Sequence, residues 1–155
     1  MAALFSSSTQ WVRPEWIDYN GHLNMGYYSV LFDLAADEAY QTLGFGPDYL
    51  AQTGHTTYTA EFHIRYLREV KQSDRLQVSF RVIDFDAKRF HTFQEMYHTD
   101  GWLAATGEGL ALHVDTSGPN VAPMPTEIQS KLARIKEQSG PHPQGVGRAV
   151  SMRRP

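Results

Sequence analysis

The sequence predicts an α+β domain, a five-stranded antiparallel sheet wrapped around one long central helix. Three observations predict it. From Met25 to Leu43 apolar residues recur at steps of three and four, the period of a helix with one buried face. From Thr56 onward the period drops to two and persists through four segments joined by short turns. A sheet with one apolar face must be covered, and the 25–43 helix is the main element long enough to cover it.

The elements read as follows. Residues 10–16, QWVRPEW, suggest a short strand that Pro14 confines to an edge or ends early. Asn20-Gly21 marks a turn, because both residues tolerate positive φ. In the helix, Tyr28, Leu31, Phe32, Ala35, Ala39 and Leu43 form the apolar stripe. Asn24 is placed to cap its start and Gly44 to stop it. Residues 47–52 add one further helical turn. In the segment 56–67, Tyr58, Ala60, Phe62, Ile64 and Tyr66 alternate with Thr59, Glu61, His63 and Arg65. Segments 74–85, 90–99 and 102–114 are three more strands, with turns at 71–74, 86–88 and 100–101. Four consecutive strands with short connections predict an antiparallel meander. Thr126 to Gln138 reads as a terminal helix with Ile128, Leu132 and Ile135 on its apolar side. Residues 1–139 thus form a single domain, and 140–155 a loosely ordered tail rich in Pro, Gly and Arg.

Composition excludes several classes. A net charge of −3 gives no electrostatic footprint for nucleic acid, although a local basic spot could still hold a few phosphates. Cysteine is absent, so thiolate nucleophiles, disulfides and cysteine metal sites are out. The N-terminus makes a poor signal peptide and no apolar run approaches a membrane span, so the expectation is a cytoplasmic protein with no membrane contact. The seven histidines contain neither an HxxxH nor an HxH pair, so no metal site is expected. His63, His91 and His113 fall in strands, as structural histidines do. No GxSxG elbow is present. The GEGLA run at 107–111 lies inside a strand and lacks a third glycine, which argues against dinucleotide binding.

The stretch WIDYNGHLNMGYY, 16–28, carries the densest chemistry. Asp18, Asn20, His22 and Asn24 are spaced by two and lead directly into the helix. A helix N-terminus presents unpaired amides and partial positive charge, which can hold a developing oxyanion. A turn at Asn20-Gly21 would fold the Asp18 carboxylate back toward those amides, a layout suited to cleaving an activated acyl group. The same residues are also ordinary turn formers and caps. Spacing alone leaves both readings open.

DYNGHLNMGYY resembles the D-x-x-G-H-x-N-x-x-Y signature of hotdog-fold thioesterases of the 4-hydroxybenzoyl-CoA thioesterase type. It also resembles the D-x-N-x-H-x-N-N stretch of plant acyl-carrier-protein thioesterases. The likeness continues through the helix, EFHIRYLRE and the D-x-L-x-V strand, covering residues 10–138. Met25 departs from the second Asn of many relatives. The resemblance implies a hotdog fold and acyl-CoA hydrolysis without a cofactor. It implies Asp18 as nucleophile or general base, and the Met25 amide as the group that polarises the thioester carbonyl. His22 and Asn24 complete that catalytic set by bracing the turn and cap. Tyr19, Asn20, Gly21 and Tyr28 would line the substrate. The resemblance also implies a homodimer or homotetramer with sites between subunits, and there a partner's Thr59, Glu61 or His63 would contribute. Lys88-Arg89 suit CoA phosphates, or simply form a solvated turn; Arg65, Arg68 and Arg153-Arg154 are further basic residues. Trp16, Tyr19, Tyr27, Tyr28 and Tyr40 crowd the region, an environment that suits either a core or a quaternary ammonium. The 11–28 segment is similar to thioesterases associated with carnitine catabolism, which act on betainyl-CoA. Two other classes stand beside hydrolysis. Hotdog hydratases carry D-x-N-P-x-H, from which this chain lacks the Pro and has its His one residue early; a non-catalytic acyl-CoA-binding domain would keep the fold without turnover.

Overall fold

A computed structural model describes residues 4–152. The elements are β1 (Phe5–Ser6), β2 (Gln10–Trp11), a 3-10 turn (Pro14–Trp16), α1 (Met25–Leu43), α2 (Pro47–Thr53), β3 (His55–Tyr66), β4 (Arg75–Phe85), β5 (Arg89–His98), β6 (Leu103–Asp115), β7 (Asn120–Val121) and α3 (Thr126–Gln138).

The central helix starts and stops where its caps are written. Asn24 Oδ1 accepts from the Gly26 amide at 2.9 Å, satisfying one of the first-turn donors. Gly44 ends the helix at φ 101°, left-handed backbone that favours glycine. Tyr28, Leu31, Phe32, Ala35, Ala39 and Leu43 are buried against the sheet, and Ala36 joins them.

Three expectations need correction. Only Gln10–Trp11 of the 10–16 segment is strand, paired with β4; Pro14 instead opens a 3-10 turn, where its fixed φ and missing N–H cost nothing. The short β1 was not foreseen. The second correction is the meander, which holds only for β4, β5 and β6. β3 pairs antiparallel with β6, giving the order β1-β4-β5-β6-β3. The link 67–74 therefore crosses the end of α1 rather than turning back. The Leu67 and Arg68 amides both donate to the Ala104 carbonyl, at 2.9 and 3.0 Å. Val70 is then fully buried beneath the helix start, and its carbonyl accepts from Leu23 N at 2.7 Å. Burying Val70 there anchors the crossing.

The third correction concerns faces. A β-bulge between Thr59 and Glu61 inserts Ala60 and reverses the alternation. Thr57 and Thr59 before the bulge share the α1 side with Phe62 and Tyr66 after it. The two glycines of GEGLA have a packing role. A Cβ on Gly107 would lie 2.5 Å from the Phe62 ring and 3.2 Å from Phe32. Those glycines let the two rings close between β3 and α1.

At the far end of the sheet His113 is completely buried. Its Nε2 accepts from the Tyr49 hydroxyl at 2.7 Å, and its Nδ1 donates to the Ala122 carbonyl at 2.7 Å. Burial pushes the imidazole below its usual range; the Ala122 carbonyl opposes this, and His55 adds to it. The unfolded chain takes up this proton near the ordinary value of 6.5, while the folded chain resists until lower pH. Above that value the contribution is full, and it is lost as pH falls below it toward the folded-state value. We expect the unfolding free energy of wild type to fall more steeply below pH 6.5 than that of His113→Gln, as read by urea titrations at several pH values. Parallel slopes would refute this.

Candidate active site

The loop before α1 is a small closed hairpin. Ile17 and Leu23 bridge antiparallel. Asp18 N donates to His22 O at 3.1 Å, Gly21 N to Asp18 O at 3.0 Å, and Asn24 N to Trp16 O at 3.0 Å. Gly21 sits at φ 80°, as a turn of this tightness requires. Trp16, buried below, stacks on Tyr27 with centroids 5.3 Å apart and ties the hairpin to the first turn of the helix.

This framework orients Asp18. Its Oδ1 accepts from the Asn20 amide at 2.8 Å, an Asx turn that fixes the carboxylate. Among the described residues Oδ2 meets no donor. The Met25 amide likewise has no acceptor among them, as expected for the first residue of a helix whose cap bonds Gly26 instead. A carboxylate with one free oxygen thus shares a cleft of about 510 Å³ with an unspent helix-end amide. Tyr19, Asn20, His22, Asn24 and Tyr28 line the same cleft, whereas Gly21, expected beside the substrate, serves the turn and is not part of the lining.

The opposite wall comes from the end of β3 and the crossing link. Tyr66 donates its hydroxyl to the Met25 carbonyl at 3.3 Å and meets Tyr28 edge to face at 4.9 Å. Arg68 and Glu69 follow. Burial pushes the Tyr28 phenol above its usual range; a hydrogen bond from the Val70 backbone opposes this, while Tyr66, Glu69 and Asp18 add to it. Tyr66 and Glu69 were not singled out from the sequence as site residues. Their signal is tertiary, since it depends on where the 67–74 link runs.

Other predicted residues lie elsewhere in the protomer. Thr59 faces α1 in a separate cleft of about 390 Å³ with Asp33, Tyr40 and Gln94. Glu61 and His63 lie instead on the outer face, beside His91 and Glu108. The bulge therefore splits the trio that alternation had placed on one face. The described tail, 140–152, has no helix or strand, yet it is pinned to that outer face: the Gly147 amide donates to both Glu108 oxygens, at 2.8 and 3.0 Å. Arg65 lies beside this tail, and Arg68 stacks its guanidinium 4.3 Å over Trp102. Arg153-Arg154 fall outside the described residues. Arg89 is opposite Leu112 on β6, whereas Tyr66 is opposite Ala105, so Lys88-Arg89 sit roughly 23 Å along the strand from the cleft of the same chain. Arg89 is held there by Asp86, with Nε at 2.8 Å and Nη2 at 2.6 Å.

Among the described residues no group of His, Asp and Glu is arranged to hold a metal ion, and no helix is long and apolar enough to cross a membrane.

Comparison with known proteins bears on the fold and the family. Residues 12–132 match the thioesterase-like superfamily. The betainyl-CoA thioesterase of Pseudomonas aeruginosa is 34% identical over 144 residues, covering 91% of this chain and 91% of that protein. The L-carnitine dehydrogenase/betainyl-CoA thioesterase of Agrobacterium fabrum is 38% identical over 140 residues, 90% of this chain but 29% of that longer protein. Among solved structures, a hypothetical protein of Staphylococcus aureus in complex with CoA superposes with a TM-score of 0.89 at 25% identity, covering 97% of this chain and 96% of that one. The DHNA-CoA thioesterase of Staphylococcus aureus shares the fold, with a TM-score of 0.73 at 18% identity over 88% of this chain and 97% of that one. The chain therefore belongs to the thioesterase-like superfamily, as an acyl-CoA thioesterase of hotdog fold.

Proposed function

We propose that this enzyme hydrolyses betainyl-CoA to betaine and free CoA, with Asp18 and the Met25 amide as its reacting groups. The observation that carries the reading is their shared cleft, where Asp18 Oδ2 and the Met25 N–H both lack protein partners among the described residues. The Met25 amide donates to the thioester oxygen and stabilises charge developing there. Asp18 either attacks the carbonyl carbon, giving an anhydride that water opens, or removes a proton from the attacking water. In both routes the C–S bond breaks and CoA leaves as thiolate. Carboxylate, amide and water suffice, so no metal or cofactor is assigned. The acyl group follows from the similarity to the betainyl-CoA thioesterase of Pseudomonas aeruginosa and is supported by the anionic, aromatic lining of the cleft. The test is thiol release from a panel of acyl-CoAs. Faster release from betainyl-CoA than from acetyl-CoA is expected. Equal kcat/KM removes the betainyl assignment, and hydration of an enoyl-CoA without thiol release would indicate a hydratase.

The active assembly is a homo-oligomer built on the β3 edge. Among the described residues β3 pairs only with β6, and it leaves Tyr58, Phe62 and Tyr66 partly exposed along an edge with no partner there. Such an edge is a template for a second chain. Pairing two β3 strands would bring a partner's Thr59 and Lys88-Arg89 toward this cleft, closing the distance that separates them within one protomer. Light scattering should give at least twice the 17.6 kDa chain mass; a mass of one chain would count decisively against the assembly.

A further inference from the structure

Betainyl-CoA carries its charge very close to the bond that breaks. The quaternary nitrogen is two bonds, about 2.5 Å, from the thioester carbon. Within a protomer, whatever reads that charge must therefore stand in the Asp18–Met25 cleft itself. The most acidic stretch of α1 does not qualify: Asp33 and Asp37 lie eight and twelve residues beyond Met25, roughly 12 and 18 Å of helix rise.

The wall facing Asp18 does qualify. Glu69 lines the cleft, is solvent-exposed, and has no ion-pair or hydrogen-bond partner among the described residues. Arg68, its neighbour, also lines the cleft, but its guanidinium is drawn off to stack on Trp102. Beside Glu69 stands Tyr66, whose hydroxyl is tied to the Met25 carbonyl and whose ring meets Tyr28. That tether holds an aromatic ring next to the amide proposed to hold the thioester oxygen. A trimethylammonium group cannot donate a classical N–H hydrogen bond, so only unpaired negative charge and ring faces can select it over a neutral group of the same shape. Asp18 is committed to the reaction at the carbonyl carbon, so Glu69 supplies the first and Tyr66 the second.

Resting on the betainyl-CoA reading above, we infer that Glu69 and Tyr66 are the specificity residues for the cationic acyl head: Glu69 as its counter-charge, Tyr66 as the ring it packs against. The end of β3 and the crossing link, which sequence periodicity treats as a mere connection, thereby become the substrate-selecting wall.

The test compares betainyl-CoA with 3,3-dimethylbutanoyl-CoA, which replaces the quaternary nitrogen by carbon and keeps the shape. The readout is the ratio of their kcat/KM values. Glu69→Gln should lower the ratio about tenfold. Tyr66→Leu should lower it about fivefold, and Tyr66→Phe, which keeps the ring, should restore most of the loss. A ratio within about twofold of wild type in Glu69→Gln overturns the inference. A drop in Asp33→Asn instead would mean that the helix surface of a second copy reads the charge, and would also overturn it. Failure of the underlying reading looks different: wild type would then hydrolyse both esters equally, or neither, and the Glu69 assignment would fall with it.

Discussion

Asp18→Asn should lower kcat for the acyl-CoA substrate about a thousandfold, with the fold intact. That is about 4 kcal/mol of transition-state stabilisation, near what removal of a nucleophile or general base costs. The substitution separates chemistry from structure. The structural duty of Asp18 is done by Oδ1, which accepts from the Asn20 amide. An asparagine keeps that oxygen, so the Asx turn, the hairpin and the capped helix start all persist. Only the negative charge and the free Oδ2 are lost. Circular dichroism and the urea midpoint should match wild type, while steady-state thiol release collapses. Residual turnover would come from the Met25 amide and from substrate positioning, which the variant leaves in place. A variant retaining more than about a tenth of wild-type kcat with wild-type stability would remove Asp18 from the reaction.

Much of this site is legible in the sequence because its parts are local. The Asn20-Gly21 turn, the Asn24 cap and the Gly44 stop each depend on residues within a few positions, and α1 runs between its predicted ends. What sequence could not supply is tertiary. Period-two alternation says which residues share a face, but not which strand lies alongside, so β3 read as the neighbour of β4 when it pairs with β6. The bulge at Ala60 is invisible because the polar-apolar pattern runs through it unbroken, and one inserted residue is enough to part Thr59 from Glu61 and His63. The opposite wall of the cleft was missed for the same reason. Tyr66 and Glu69 reach the cleft wall because Val70, next after Glu69, is buried under the start of α1. Lys88-Arg89 drop out of reach of Asp18 within the chain once the β5–β6 register is known.

The second large effect is expected in the helix that carries the site. Phe32→Ala should cost about 3–4 kcal/mol of unfolding free energy, a sizeable share of the roughly 5–15 kcal/mol available to a domain. Phe32 is 1% exposed and lies among the buried residues that join α1 to the sheet. Its ring meets Phe62 edge to face at 5.6 Å, and the bare backbone of Gly107 is what admits both rings. Alanine there opens a void between α1 and the sheet. The void adjoins the cleft lined by Asp33 and Gln94, so water can enter part of it, which keeps the cost below that of a sealed cavity. The site should feel the same change. Phe32 is two turns from Met25, and loosening it frees the helix start on which the Met25 amide and the Tyr66 tether depend. Urea unfolding at matched protein concentration is the measurement, because an oligomer's midpoint shifts with concentration. A loss below about 1.5 kcal/mol would show that the ring is not the anchor its burial implies. A full loss with unchanged kcat would show that the helix start is held by the hairpin and Val70 alone.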